Sequence, residues 1–222
     1  MLKRLSAIAL ALGTMSGANA ALVSYSANVE VITPPASVQL EQLVSDTKIR
    51  VFEESTKTLA GSLPVDGIFS GDYPPLGREA YFSIASGTLV TSFLFHADLN
   101  GAPSNPIPFI ASATFSNEII GLIFFSSTLG QTDTAVGSAF TSYPQAPSSD
   151  ASFRGFEFGG VCAENTTDCV SLSQDRRTIS LAWSVAEYSD QLRVIVSVPT
   201  PATIALLGLG LAGIGAARRN QG

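Results

Sequence analysis

Histidine, cysteine and clustered basic residues are scarce in this chain. It contains one histidine and two cysteines among 222 residues, and 12 lysines and arginines against 18 aspartates and glutamates. Two cysteines with no histidine nearby do not make a structural zinc site, and we expect neither metal ligands nor a cofactor. Binding to a phosphate backbone needs clustered lysine and arginine. The charge pattern therefore predicts no nucleic-acid partner.

Helix-forming patterns are also sparse in the body of the chain. Lysine and glutamate are few, serine and threonine are abundant, and no helical period of apolar residues is sustained, which argues against a helical bundle. Short runs rich in β-branched and aromatic residues alternate instead with turns of Gly, Pro, Asn and Asp. The runs that predict strands are 22–31, 48–53, 88–97, 111–125, 153–158, 170–172, 178–185 and 191–198. Only residues 38–43 fit a helix, of one or two turns.

This spacing, of roughly nine to twelve short strands, predicts an all-β fold. We expect one antiparallel β-sandwich or jelly-roll-like domain over residues 21–197. Successive side chains of a strand point to opposite faces, so Trp183 shares its face with Ile179, Leu181 and Val185. That parity places Trp183 in the predicted core.

The first 20 residues have the layout of a secretory signal peptide. Lys3 and Arg4 precede an apolar stretch, and Ala18 and Ala20 have the small-x-small spacing of a signal-peptidase site. We expect cleavage after Ala20 and export of the remaining chain.

A long apolar run near the other end is flanked by prolines and arginines. Residues 194–217 carry no charge, and about 20 apolar residues suffice to span a bilayer. Pro199 and Pro201 confine a helix to the later part of this run, because proline is tolerated at a helix start and breaks a helix interior. Arg218 and Arg219 fit the positive-inside rule. We expect one transmembrane helix; a buried core helix and a permanent anchor are the alternatives.

The same segment, 198–222, resembles the C-terminal sorting signal of PEP-CTERM proteins. Val198 leads into the Pro-x-Pro motif Pro199-Thr200-Pro201, in which the family most often has Glu at the middle position, and Arg218 and Arg219 form the basic end. The resemblance implies that exosortase, an inner-membrane transpeptidase of Gram-negative bacteria that accompanies exopolysaccharide production, recognises and removes the tail. It also implies a precursor anchored in the inner membrane and a product at the cell surface or outside the cell.

The two cysteines lie close together in the sequence. Cys162 and Cys169 enclose six residues of a polar loop. In an oxidising compartment this spacing predicts a disulfide, whereas it does not match the redox pattern Cys-x-x-Cys. A loop this short would staple one turn and would not hold the fold together.

The body of the chain, from 49 to 194, also resembles that of other PEP-CTERM proteins of unassigned function. This second resemblance implies an exported β-domain and supplies no chemistry. The segments that carry it are 49–54, 87–90, 95–98, 115–121 and 190–195.

His96 is the only histidine, so any Ser-His-Asp triad would need it. No Gly-x-Ser-x-Gly motif accompanies it, and we interpret His96 as a hydrogen-bonded structural residue. A hydrolase with paired carboxylates stays an alternative, because such pairs meet in space and not in sequence. No such pair of carboxylates is evident in the sequence, and we expect that the protein is not an enzyme.

Two acidic turns and three aromatic residues are the remaining candidates for binding. Segments 98–101 and 130–133 offer oxygen ligands for calcium, although Asp-x-Asn-Gly is most often only a turn. Sugar-binding aromatic residues are exposed, which makes the loop residues Phe69, Tyr73 and Tyr143 candidates, although such residues more often cap a local cluster. The sequence predicts a structural or adhesive surface or matrix protein with extracellular polysaccharide as a partner; a carbohydrate- or calcium-dependent binding module and a secreted hydrolase are the alternatives.

Overall fold

The computed structural model describes residues 20–73, 82–156 and 168–199. These segments contain twelve strands and two helices. The strands are β1 Leu22–Tyr25, β2 Val29–Val31, β3 Ile49–Thr58, β4 Leu63–Val65, β5 Gly71–Tyr73, β6 Phe82–Ile84, β7 Leu89–Ala97, β8 Ile107–Phe115, β9 Ile119–Ile123, β10 Cys169–Leu172, β11 Thr178–Val185 and β12 Asp190–Ser197. The helices are α1 Ser126–Val136 and α2 Ser149–Phe153. The predicted transmembrane helix and nearly all of the predicted signal peptide lie outside the described residues.

The first sheet has the strand order β1-β8-β11-β10-β5, and its neighbours are all antiparallel. Its longest pairing joins β11 to β8, with Trp183 opposite Phe109. In β11 every second residue is buried, as the alternating sequence predicts. Trp183 is 2 % exposed, which confirms its predicted place in the core.

The second sheet has the order β2-β3-β7-β12-β9. It is antiparallel except that β2 runs parallel to β3, so the antiparallel prediction is wrong for this one pair. Nearly every residue of β7 and β12 is buried. A strand buried on both faces reads as a near-continuous apolar run, which fits residues 93–95 of β7 and 194–196 of β12. The polar residues Thr91, Ser92, His96, Asp190, Gln191 and Arg193 of these strands are buried as well.

One hydrophobic core lies between the two sheets. It receives side chains from both, including Phe93 of β7, Phe115 of β8 and Val194 of β12. The rings of Phe93 and Phe115 have centroids 5.1 Å apart, within the range of favourable aromatic contacts. Two five-stranded sheets that share a core form a sandwich, and the all-β prediction is confirmed. The jelly-roll strand order stays a prediction.

A second core covers the other face of the second sheet. Phe52, Leu94 and Ile195 from that sheet pack against Leu129 and Val136 of α1 and against the two-stranded sheet of β4 and β6. The second sheet is therefore the middle layer of three. The residues on this face of the second sheet are therefore buried, although they point away from the core between the two sheets.

Helix α1 was not predicted from the sequence. Its segment is rich in Ser, Thr and Gly, which are poor helix formers, and part of it, 130–133, had been interpreted as an acidic loop. The predicted helix at 38–43 is a single turn, closed by the Gln42 N–H to the Gln39 carbonyl at 3.0 Å. The strand predicted at 153–158 is also wrong, because Phe153 ends α2 and residues 154–156 are not in a strand.

Candidate functional site

Five charged or polar side chains meet between the second sheet and the helical layer. We call Glu54, Asp133, Arg154, Gln191 and Arg193 the ionic cluster. Glu54 comes from β3, Asp133 from α1, Arg154 is the C-cap of α2, and the other two come from β12. None is more than 8 % exposed. Glu54 sits at a register shift between Glu53 and Ser55, and such bulges re-aim side chains.

All five N–H donors of Arg193 are used. Nε and Nη2 donate to the two carboxylate oxygens of Glu54 at 2.7 and 2.8 Å, and Nη2 also donates to Asp133 Oδ1 at 2.9 Å. Nη1 donates to Thr132 Oγ1 at 2.6 Å and to the Leu129 carbonyl at 3.2 Å. Burial by itself lowers the pKa of Arg193, but the carboxylates of Glu54 and Asp133 outweigh it and raise the pKa. Arg193 therefore stays charged.

Arg154 completes the pairing from the opposite side. Its Nη1 and Nη2 donate to the two oxygens of Asp133 at 2.7 and 3.0 Å, and its Nε donates to Gln191 Oε1 at 2.9 Å. Two carboxylates thus face two guanidinium groups, which leaves the cluster without net charge. Buried charges are tolerated when they are paired and hydrogen-bonded in this way.

Tyr143 covers the ionic cluster. Its hydroxyl donates to Glu54 Oε1 at 2.6 Å and accepts the Ser138 N–H at 2.8 Å. The guanidinium carbons of Arg193 and Arg154 lie 5.5 and 5.6 Å from its ring centroid, close enough for cation–π attraction. Burial and the charge of Glu54 raise the pKa of Tyr143, so the hydroxyl stays protonated and keeps its role as donor.

The ionic cluster leaves neither carboxylate available for acid–base chemistry. Glu54 Oε2 accepts from Arg193 Nε at 2.7 Å and from Ser92 Oγ at 2.5 Å, and both oxygens of Asp133 accept from guanidinium groups. A general base needs a free lone pair within reach of the substrate proton. The hypothesis of a paired-carboxylate hydrolase gains no support from this arrangement.

His96 lies next to the ionic cluster and is fully buried. Its Nδ1 is 3.2 Å from Gln191 Nε2, and its Nε2 is 3.9 Å from Asp98 Oδ2. Arg154 Nε donates to Gln191 Oε1, so the amide nitrogen of Gln191 points toward His96 and donates to Nδ1. Burial, followed by the charges of Arg154 and Arg50, lowers the pKa of His96 from 6.5 to about 3. His96 is neutral, its Nδ1 accepts one hydrogen bond, and its buried Nε2 has no partner within hydrogen-bond distance.

Asp98 anchors a loop and does not form a calcium turn with Asn100. Its Oδ2 accepts the Glu41 N–H at 2.7 Å, and the Asn100 N–H donates to Asp46 Oδ1 at 2.9 Å. Segment 130–133 lies within α1, and Asp133 is engaged by both arginines of the ionic cluster. Within residues 20–73, 82–156 and 168–199, no three His, Cys, Asp or Glu side chains are placed to hold a metal ion.

Asp98 makes stability depend on pH. Burial, and then the charges of Asp150 and Glu41, raise its pKa from 3.8 to about 6, against the opposing hydrogen bond from Glu41. Because the folded state binds this proton more tightly than the unfolded state, the stability contribution present below about pH 4 is lost as the pH rises through the folded pKa. We expect the melting temperature of Asp98→Asn, relative to the wild type, to rise between about pH 4 and pH 6 and then stay constant.

Thermal unfolding followed by circular dichroism at successive pH values checks this expectation. His96→Gln is the matched control, because a pKa lowered from 6.5 to about 3 gives the opposite sign: that contribution is lost as the pH falls below 6.5. The two difference curves should therefore slope in opposite directions. A difference between Asp98→Asn and wild type that does not vary with pH would contradict the role given to Asp98.

The three aromatic candidates for sugar binding have different surroundings. Tyr143 is 6 % exposed and belongs to the core beside α1, so it packs in a local cluster and is not the exposed ring that sugar binding needs. Tyr73 is half-buried, with its ring 5.9 Å from that of Phe124. Phe69 is exposed and makes an edge contact with Phe82 at 5.4 Å.

A surface depression of about 510 Å³ opens beside the ionic cluster. It is lined by Lys57 of β3 and by residues of α1 and the following segment, namely Asp133, Thr134, Gly137, Ser138, Ala139, Thr141, Ser142, Tyr143 and Gln145. Phe140 interrupts this lining segment and is 85 % exposed. Phe140 lies among small residues, with Ser138 and Ala139 before it and Thr141 and Ser142 after it, and this was the available sequence signal for an exposed ring.

The predicted sorting segment begins where the described chain ends. Val198 is 8 % exposed and packs into the core between the sheets, whereas Pro199 is exposed. Thr200, Pro201, Arg218 and Arg219 lie outside the described residues, as do Ala18 and Cys162. The predicted disulfide therefore stays a prediction; Cys169 is buried in β10. No helix in the parts of the chain that the structure describes is long and apolar enough to span a membrane.

Comparison with known families identifies the sorting segment. Residues 197–219 match the family model for the PEP-CTERM protein-sorting motif. This motif marks the chain as an exported protein that is sorted by exosortase, a membrane protein, and that passes through a membrane-anchored precursor to the cell surface. Comparisons with curated proteins and with solved structures find no match.

The ionic cluster is the main feature that sequence reasoning missed. The available signal was weak: Arg193 directly precedes the apolar run 194–196 of β12, but β12 also carries Asp190, and β3 carries Arg50, Glu53 and Lys57 beside Glu54. Charged residues are almost never fully buried unless they are paired. A charge next to an apolar run in a predicted central strand therefore indicates a buried partner of opposite charge. Which residue that partner is depends on the third layer, which the sequence did not reveal.

Proposed function

We propose that this protein is a non-enzymatic, structural and adhesive component of the cell surface or of an extracellular polysaccharide matrix. The observation that carries the proposal is the match of residues 197–219 to the PEP-CTERM sorting motif, which begins at the last residue of β12 in the three-layer domain. The ionic cluster supports it further, because its charges are satisfied within the fold and stabilise the layers. A secreted hydrolase and a calcium-dependent module have no comparable support.

The delivery step is tested by removing the two prolines of the motif. We compare the wild type with Pro199→Ala/Pro201→Ala in a host that has an exosortase, using cell fractionation and intact mass. The wild type should be at the surface or outside the cell, start near Ala21 and lack everything beyond about Pro201. The variant should stay in the inner membrane with its full tail.

The body offers a matched control, because Pro106-Ile107-Pro108 has the same spacing. Pro106→Ala/Pro108→Ala should be sorted and shortened as the wild type is. If the wild type and the motif variant both remain uncut in the membrane, the tail is an ordinary anchor. In that case the matrix role loses its main support.

The adhesive role predicts binding to matrix polysaccharide, and the surface we favour is the depression next to Phe140. The chain neighbours of Phe140, Ala139 and Thr141, line this depression, and ligand sites combine aromatic side chains with a few polar groups. Lys57, the one basic residue of this lining, would pair with acidic sugars. Co-sedimentation with purified matrix polysaccharide should be weakened by Phe140→Ala and unaffected by Phe153→Ala, which changes a second exposed phenylalanine. Equal binding by both variants would remove the depression from the proposal.

A further inference from the structure

The folded domain runs into the sorting motif with no linker between them. β12 ends at Ser197, and Pro199 is the first proline of the motif. The family match starts at residue 197, so it overlaps the last residue of a strand. β12 is an interior strand of its sheet, with β7 on one side and β9 on the other.

The backbone of Ser197 and Val198, the two residues before Pro199, is hydrogen-bonded on both sides. On the β9 side, the Ser197 N–H donates to the Glu118 carbonyl at 2.8 Å, and Asn117 Nδ2 donates to the Ser197 carbonyl at 3.0 Å. On the β7 side, the Val198 N–H donates to the Leu89 carbonyl at 3.1 Å. The Val198 side chain is buried in the core between the sheets.

A peptide-processing enzyme needs these same backbone groups. Proteins that bind an extended peptide pair with its N–H and C=O groups as one strand pairs with another. A backbone N–H that already donates within a sheet is not available for a second partner. Pro199 has no N–H to offer, so the nearest upstream donors are those of Val198 and Ser197. Both are occupied in the folded domain.

We propose that local opening of the end of β12 precedes exosortase processing. Ser197 and Val198 leave Leu89 and the turn at 117–118, and the enzyme then binds the released segment together with Pro199. The opening involves few hydrogen bonds and one valine side chain, and strand ends open more readily than the rest of a fold. When opening and closing are fast, the rate of cleavage follows the population of the open form.

Asn117→Ala tests this step in the full-length precursor, in a host that has an exosortase. The variant loses the hydrogen bond to Ser197, which raises the open population and the pulse-chase rate of tail removal about fivefold. Asn28→Ala is the matched control, because Asn28 Nδ2 donates to the Ile110 carbonyl, also at 3.0 Å, and does not contact β12. The control should be processed at the wild-type rate. A rate for Asn117→Ala equal to that of Asn28→Ala overturns the proposal.

A linker insertion distinguishes local opening at the end of β12 from a steric effect, in which the folded domain crowds the enzyme. With Gly-Ser-Gly-Ser between Val198 and Pro199, the enzyme finds free backbone upstream of the motif, so processing should be faster than in the wild type. Adding Asn117→Ala to the insertion should then change nothing. If the insertion accelerates processing while Asn117→Ala alone does not, crowding and not opening is responsible, and the proposal is wrong. If the wild type is never processed, the sorting function itself is wrong. This outcome differs from failure of the opening step alone, in which the wild type is processed but Asn117→Ala does not change the rate.

Discussion

Arg193→Met lowers the free energy of unfolding by about 3–5 kcal/mol, the loss expected when one partner of a buried ion pair is removed. Glu54 then keeps only the hydroxyl donors of Ser92 and Tyr143, at 2.5 and 2.6 Å. Its charge is left in the interior without a counter-ion. Asp133 keeps Arg154, so the damage centres on Glu54. Urea unfolding of the exported protein measures the loss.

Arg50→Met is the matched control, since Arg50 lies in the same sheet and pairs with Glu30 at 3.0 Å while both side chains are partly exposed. Exposed pairs contribute about 0–1 kcal/mol, so this variant should change stability little. The double variant Glu54→Leu/Arg193→Met removes both charges and should be more stable than Arg193→Met alone, by roughly 1 kcal/mol or more. If Arg193→Met costs no more than Arg50→Met, the ionic cluster does not hold the layers together.

Much of the sheet structure could be predicted, because each strand carries its own pattern. The prediction of a strand over 178–185 coincides with β11, and 170–172 falls within β10. These strands have one face toward the core, so their side chains alternate. β7 and β12 were found as strands from their β-branched and aromatic residues, but that pattern could not show what covers their second face.

The third layer could not be predicted because its helix is formed by tertiary contacts. α1 contains two serines, three threonines and a glycine among its 11 residues, a composition with low intrinsic helix propensity. Its Leu129 and Val136 pack on the second sheet, and its Asp133 pairs with Arg154 and Arg193. These partners are 21 and 60 residues away in the chain. The local sequence of α1 therefore does not indicate these partners.

The candidate sorting site shows the opposite case. The predicted roles of Pro199, Pro201, Arg218 and Arg219 rest on the order of these residues along the chain, which the sequence shows by itself. The family match over residues 197–219 confirms the motif. What the sequence did not show is that Val198 is part of the core. The sorting motif therefore begins directly after a core residue of the fold. This placement of Val198 follows from the pairing of β12 with β7.

Asp66→Ala lowers the free energy of unfolding by about 3 kcal/mol, because it leaves buried donors without an acceptor at a typical cost of about 1–3 kcal/mol each. Asp66 Oδ2 accepts the N–H groups of Phe124 and Phe125 at 2.7 and 2.9 Å, and Oδ1 accepts the Thr128 hydroxyl at 2.7 Å. The N-cap of α1 is Phe125, which has no side-chain cap of its own. Asp66 therefore caps the N–H of Phe125, one of the four backbone N–H groups at the helix start that have no partner within the helix, and holds the first turn through the Thr128 hydroxyl.

Two further variants show whether these hydrogen bonds are the cause. Asp66→Asn keeps an oxygen for the two backbone N–H groups, and its amide can donate to Thr128, so more than half of the stability lost in Asp66→Ala should return. Asp175→Ala removes an exposed carboxylate that also accepts a side-chain and a backbone donor, from Ser173 and Arg177, and should leave the urea midpoint almost unchanged. In Asp66→Ala, hydrogen exchange should increase most in the first turn of α1. An even increase over the whole domain would mean that Asp66 stabilises the fold in general and is not the cap of this helix.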